Sequence, residues 1–209
     1  MSTRVDETTP SEDLMAAVAS GDKSSFEILV RRHQDMVLNI VYRFIGNRTD
    51  AEDLAQEVFI RVWQAAGRYR PTAKFTTWIY RITANVCINE LKSARRRKRL
   101  QFSLSHEEKG GWRGERPVHH AEKAPSPEEL LLDEEQKRRI FAALQSLSDN
   151  QRMALVLKRY EGLSYAEIAQ VLGKSVSAVE ALLVRAKRNL RKNLASHEKK
   201  SQVFGSKPV

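Results

Sequence analysis

The residues of this chain best placed to do chemistry are suited to holding nucleic acid, not to breaking bonds. Tyr69, Phe75, Trp78 and Tyr80 cluster with Arg68, Arg70 and Lys74 around one expected loop. Rings of this kind stack on unpaired bases, and neighbouring cations track the backbone of a single strand. Arg81, Asn85, Asn89 and Lys92 then recur at helical spacing and form one polar stripe. Arg and Asn are the side chains that best reach base edges and phosphates. Core packing competes for the rings. Trp78 is spaced to share a helix face with Ile82, and for Phe75 and Tyr80 the spacing does not decide. The cations Arg95 to Arg99 either end a solvated helix or relieve their mutual repulsion on a polyanion.

A second constellation lies near the other end. Ser164 and Glu167 have capping-box spacing and open a short helix with Tyr165, Ile168, Ala169 and Leu172 on its inner face. Gly173 suits the left-handed conformation that ends a helix, and Ser175 caps the next. That next helix is expected to bury Val176, Val179, Leu182, Leu183, Ala186 and Leu190. A short helix, a tight Gly turn and a longer helix describe a helix-turn-helix. The first residues of the second helix then meet base edges in the major groove. Here they are Ser177, Ala178, Glu180 and Ala181, with Arg185 one turn on. Arg188 and the cations around it suit phosphates and the helix dipole. A plain helical hairpin has similar caps; the tight Gly turn and the small polar residues at the tip favour DNA.

Other chemistry finds little support. The soft ligands of interest, His106, His119, His120 and Cys87, show no metal-site spacing. There is no Gly-rich phosphate loop and no nucleophile–base constellation. The chain is expected to be non-enzymatic, with no cofactor and no metal. The formal charge of +10 favours a polyanionic partner, although a basic tail would give the same number. One cysteine in an apolar run fits a reducing compartment. The N-terminus is polar and no apolar run approaches the ~20 residues of a membrane span. A cytoplasmic protein without membrane insertion is expected.

The elements that must position these residues are helical. Phe26 through Phe44 keep helical spacing, and Gly46-Asn47 stops the run. Thr49 and Glu52 have capping-box spacing for a helix with Leu54, Val58, Phe59 and Val62 inside. A third helix carries Trp78 to Leu91 and ends in the cations. Leu130 to Leu144, then a helix capped at Leu147-Ser148-Asp149 and running to Tyr160, begin a second block. The fold class is all-α: two small helical domains, 11–99 and 127–195, joined by a flexible linker over 100–126 rich in Gly and Pro.

At this point the residues resemble a known family. Asp50-Ala51-Glu52-Asp53-Leu54-Ala55-Gln56-Glu57-Val58-Phe59, and Phe75-Thr76-Thr77-Trp78-Ile79-Tyr80-Arg81-Ile82 with Asn85, resemble region two of extracytoplasmic-function sigma factors. Gln151-Arg152, Tyr160 through Ala169, Ser177-Ala178-Val179-Glu180 and Arg185-Ala186 resemble region four. The resemblance implies a region-two domain that docks on the beta-prime clamp helices of core RNA polymerase through Asp50, Asp53, Gln56 and Glu57. It also implies that this domain melts the promoter minus-ten element, with an unpaired base held at Tyr69 to Lys74. The region-four helix-turn-helix would bind the minus-thirty-five duplex and touch the beta flap, and an anti-sigma factor would mask these surfaces. Many members carry a basic residue where this chain has Glu180, so the minus-thirty-five sequence read here is open. The competing reading is a stand-alone helix-turn-helix regulator, with the first block as a dimerisation or ligand domain.

Overall fold

The computed structural model describes residues 6–70, 74–104 and 139–204. The elements are α1 (Ser11–Ala19), α2 (Lys23–Ile45), α3 (Arg48–Ala65), a 3-10 turn (Ala66–Arg68) and α4 (Phe75–Leu104). Then come helical residues 139–145 (α5), α6 (Asp149–Tyr160), α7 (Tyr165–Leu172) and α8 (Val176–Phe204). No strand occurs among the described residues, as the all-α expectation requires. The linker expected over 100–126 lies from 105 on outside the described residues, as do 127–138 and His106, His119 and His120. Helix α4 continues past Arg99 to Leu104.

Local chemistry sets the helix boundaries. Asp22 caps α2 by accepting from the Ser24 and Ser25 amides. Gly46, at φ +88°, ends α2 with its N–H on the Tyr42 carbonyl. A Cβ there would also meet Phe141 and Gln145, each at 3.3 Å. The cap of α3 differs from the expectation. Asn47, not Thr49, takes the position, because its side chain already accepts from the Thr49 and Asp50 amides and the helix begins at Arg48. Ser164 and Glu167 do form a reciprocal box, with the Ser164 N–H on Glu167 at 2.8 Å. Gly173 is left-handed at φ +61°, and Ser175 Oγ accepts from the Ala178 amide.

One buried cluster runs from Leu14 of α1 to Leu183 of α8, so the two helical blocks share a packed core. At its centre lies a cation, Arg152, 1% exposed. It donates to the carbonyls of Leu144 (3.0 Å) and Gln145 (2.8 Å) in α5, and of Phe44 (2.9 Å) in α2. These carbonyls lie at helix C-termini, where they lack intrahelical donors and carry the negative end of the dipole. Burial lowers the Arg152 pKa and the nearby Asp149 charge opposes the shift.

Two outcomes are expected. Arg152→Met removes the side-chain donor from three carbonyls, of which Leu144 keeps the Leu147 N–H and the buried Phe44 has no other donor among the described residues. It should cost about 3 kcal/mol in a urea titration, and a loss under about 1 kcal/mol would refute the role. His33 is buried, bonded to Ser11 Oγ and packed on Phe75, and burial holds its pKa down to about 4. Between about 6.5 and 4 only the unfolded chain takes up this proton, so stability falls as pH drops through that window. His33→Gln should flatten the slope of Tm against pH there; an unchanged slope would assign it to other groups.

Candidate nucleic-acid interface

The polar stripe is as the spacing predicted: Arg81, Asn85, Asn89 and Lys92 are all exposed on α4. Asn89 and Lys92, with Ser93 and Arg96, line a cleft of about 400 Å³. Arg96 belongs to the cation run Arg95 to Arg99, and with Ser93 it also continues the stripe's spacing. The cation run is partly neutralised within the chain. Arg95 makes a bidentate pair with Asp149 at 2.7 and 2.8 Å, and Arg97 reaches Glu90 at 2.6 Å. Arg96, Lys98 and Arg99 are exposed and lack a carboxylate partner among the described residues.

The rings behave differently from stacking platforms. Tyr69 and Phe75 are buried, and both pack edge-on or tilted against Trp78, with centroids 5.0 and 5.8 Å away. Core packing therefore takes Tyr69 and Phe75, while Trp78 stays half-buried above them. Arg70 and Lys74 are exposed at the two ends of the loop, whose residues 71–73 lie outside the described residues. Tyr80 is also buried, and its hydroxyl donates to Glu161 just past α6 at 3.1 Å. Burial and that carboxylate raise its pKa well above the tyrosine range, so it stays a donor at any physiological pH.

Asp50, Asp53 and Gln56 are exposed along α3 and Glu57 is half-exposed, paired with Arg61 at 2.7 Å. Spacings of three and four put these residues on one acidic face. Ile60 extends it as an exposed apolar residue, with Trp63 nearby against Phe26.

In the helix-turn-helix, Ser164, Ser175, Ser177, Glu180, Arg185 and Arg188 are exposed, and Ala178 and Ala181 half-buried. Two inner-face expectations fail. Tyr165 is 36% exposed with Lys158 over its ring, and Val176 is 48% exposed. Both sit at the first turn of a helix, where the neighbouring layer does not reach. Val171 fills the inner face of α7 instead.

Sequence reasoning also missed a polar seam between the blocks. Helix α7 packs on α4, and α6 on α2 and α4. Arg95–Asp149 and Tyr80–Glu161 pair opposite ends of α4 and α6, so the two run antiparallel. Arg43 stacks 4.1 Å over Tyr160 and lies 3.9 Å from Glu161, and Gln145 donates to the Ile45 carbonyl at 2.6 Å. Arg152 had one local signal: its spacing puts it on the buried side of α6 with Met153 and Val156.

No group of three His, Cys, Asp or Glu that could hold a metal occurs among the described residues. Nor is any helix there long and apolar enough to cross a membrane. An all-helical chain with a helix-turn-helix and a separate basic stripe defines a DNA-binding protein of two helical parts. Residues 29–97 match the family model Sigma-70 region 2, and residues 137–190 match Sigma-70, region 4. The chain is 34% identical over 183 residues to the RNA polymerase sigma-H factor of Pseudomonas aeruginosa, spanning 88% of this chain and 93% of that one. Against the ECF RNA polymerase sigma-E factor of Escherichia coli K12 the identity is 33% over 178 residues, 83% and 88% of the two chains. The solved structure of CnrH with the cytosolic domain of CnrY aligns over 91% of this chain and 99% of that one, at 26% identity and a TM-score of 0.59. The sigma factor RpoE of Bartonella quintana, solved with the anti-sigma factor NepR, shares the fold at 20% identity and a TM-score of 0.59, over 81% and 96% of the two chains. This chain belongs to the sigma-70 family as an extracytoplasmic-function sigma factor with regions 2 and 4, and directs RNA polymerase to promoters.

The seam makes its own prediction. Asp149→Ala combined with Glu161→Ala removes the contacts at both ends of the α4–α6 packing and should raise the radius of gyration in small-angle scattering. An unchanged radius would mean that the shared core and Arg152 hold the blocks without these end contacts.

Proposed function

We propose that this sigma factor opens promoters by binding energy alone, as a cytoplasmic, non-enzymatic subunit without a cofactor. Residues 11–99 form the part that docks on core polymerase and captures the melted minus-ten strand; residues 127–195 form the part that reads the minus-thirty-five duplex. The α3 face of Asp50, Asp53, Gln56 and Glu57 meets the beta-prime clamp helices. The stripe Arg81, Asn85, Asn89 and Lys92, with Arg70, Lys74, Trp78 and Tyr80 beside it, follows the unpaired strand. The exposed residues from Ser175 to Arg188, with Ser164 and Tyr165, meet the duplex, and region four touches the beta flap. An anti-sigma factor is the expected regulator, and the sigma factor RpoE of Bartonella quintana is solved with the anti-sigma factor NepR.

The observation that carries this reading is the exposed Arg/Asn/Lys stripe on a helix distinct from the helix-turn-helix, which gives one chain two DNA surfaces. A stand-alone helix-turn-helix regulator has no use for it. The two surfaces are close in the packed chain. Helices α4 and α8 are separated by α7, which at 8–10 Å between packed axes means roughly 20 Å. The minus-ten and minus-thirty-five elements are about 25 base pairs apart by name, roughly 85 Å at 3.4 Å each. Reading both at once requires the seam to open, and core polymerase is the partner that can hold it open.

The test is a gel shift with and without core enzyme. Duplex promoter binding should be weak for the free chain and strong with core; tight binding by the free chain to paired half-sites would favour the stand-alone regulator. Asp53→Arg should weaken core binding at least tenfold, about 1.4 kcal/mol. Arg81→Ala should leave core binding intact and reduce promoter melting. Equal melting by Arg81→Ala and wild-type holoenzymes would remove the stripe from the mechanism.

A further inference from the structure

We propose that Glu12 is a positioning residue for promoter melting: together with α1 it fixes two anchors, the first turn of α4 and the 3-10 turn before Tyr69. The proposal rests on the melting role assigned above to region two. Helix α1 precedes the matched region-2 segment, which begins at residue 29.

One anchor is the start of α4. The Phe75 N–H is the first amide of that helix and has no partner within it. Glu12, 63 residues earlier, accepts this N–H at 2.7 Å. Its carboxylate also sits at the positive end of the α4 dipole. The bond holds the Glu12 carboxyl below the usual glutamate range, against a smaller opposing effect of burial. The other anchor is the 3-10 turn Ala66–Arg68, which packs directly against α1.

Helix α1 is itself firmly held. Leu14, Met15 and Val18 are buried in the common core. Arg32 of α2 donates to the carbonyls of Glu7 (2.7 Å) and Thr9 (2.9 Å) and to Ser11 Oγ (3.0 Å), and Arg31 pairs with Glu7 at 2.7 Å. Ser11 Oγ meets His33, whose ring lies against Phe75.

A chain of contacts then leads to the stripe. Phe75 and Tyr69 both pack on Trp78, and Trp78 and Arg81 lie one helical turn apart on α4. Loosening the Phe75 amide therefore frays the first turn of α4, from which Trp78 projects and on which the next turn, with Arg81, is stacked. Glu12 touches no DNA in this scheme; it sets the register of the groups that do.

The experiment compares full-length wild type, Glu12→Ala and Glu12→Gln. Gln retains a side-chain oxygen that can accept the Phe75 N–H, so it separates the bond from the charge. Amide exchange at Phe75 should be about fivefold faster in Glu12→Ala, the fold-change expected from losing one helix cap of about 1 kcal/mol. It should return to within about twofold of wild type in Glu12→Gln. With core enzyme, permanganate reactivity on promoters selected by the wild-type holoenzyme should fall by a similar factor in Glu12→Ala, recover in Glu12→Gln, and leave core affinity unchanged. Melting that is unaffected by Glu12→Ala overturns the proposal, as does a Glu12→Gln defect equal to that of Glu12→Ala. An equal loss of core affinity would show a general structural role and overturns it too. If the wild-type holoenzyme melts no promoter, the reading of region two fails instead. Phe75 exchange then decides the positioning role alone, and unchanged exchange in Glu12→Ala refutes it.

Discussion

The packed arrangement turns on one buried guanidinium. Taking Arg152 out of water costs several kcal/mol, and an isolated cation there would not survive. It survives because three carbonyls at the ends of α2 and α5 converge on it, and because the Phe44 ring lies 5.2 Å from its charged carbon. The exchange is mutual. Helix C-termini buried between two blocks would leave orphan acceptors, and a cation with five donors satisfies several at once. No apolar residue can do this. The site therefore fixes where α6 lies on α2, and with it where the helix-turn-helix lies on α4.

Around this point the seam divides into a dry middle and polar ends. The middle is the shared core, insensitive to salt. The ends are Arg95–Asp149, with Arg95 half-exposed, and Tyr80–Glu161. Arg95 is solvent-exposed but Asp149 is buried and the pair bidentate, so it weakens less with ionic strength than a pair of two exposed charges. Tyr80 is different, since its buried hydroxyl needs an acceptor and Glu161 supplies it. A ring that reads as nucleic-acid binding in the sequence is thus held by an acidic side chain of the other block. Opening the seam would hand that donor to water or to a new acceptor, such as a phosphate or a base edge, in the carboxylate's place.

What was legible in the sequence was local. Helices from α2 onward, their order, the Gly46 and Gly173 stops and the Ser164 box follow from periodicity and capping within a few residues, whereas α1 was not read as a separate helix. The α3 face and the α4 stripe follow from spacing of three and four. Besides Tyr165 and Val176, whose first-turn positions escape the neighbouring layer, the misreadings were of two kinds. Asn47 displaced Thr49 because a side chain one position ahead of the helix had first access to the free amides. The aromatic residues could not be sorted because burial of Tyr69 and Phe75 is decided by α1 and by His33 of α2, which are distant in sequence. The seam was illegible for the same reason: Phe44 and Arg152 are 108 residues apart. Only the apolar periodicity around Arg152 hinted that its charge had a buried partner.

Helix α4 shows how one element serves all these demands. At about 100° per residue its positions fall into three sectors. Phe75, Ile79, Thr83, Val86 and Cys87 occupy the side facing the region-two core, where the Cys87 thiol is fully buried and its pKa pushed up to about 12. Tyr80, Ala84, Leu91 and Arg95 fall within about 60° of one another and include both α4 ends of the seam. Arg81, Asn85, Asn89, Lys92 and Arg96 take the next sector, about 80° wide, which stays in solvent while the blocks are packed. The seam therefore covers none of the stripe. On the proposed reading of the stripe as the strand's track, separating the blocks would add the Tyr80 edge to a surface already formed and so couple strand binding to release of region four through adjacent faces of a single helix. A shorter helix, or one with its cations in the seam sector, could not keep the two events on neighbouring surfaces.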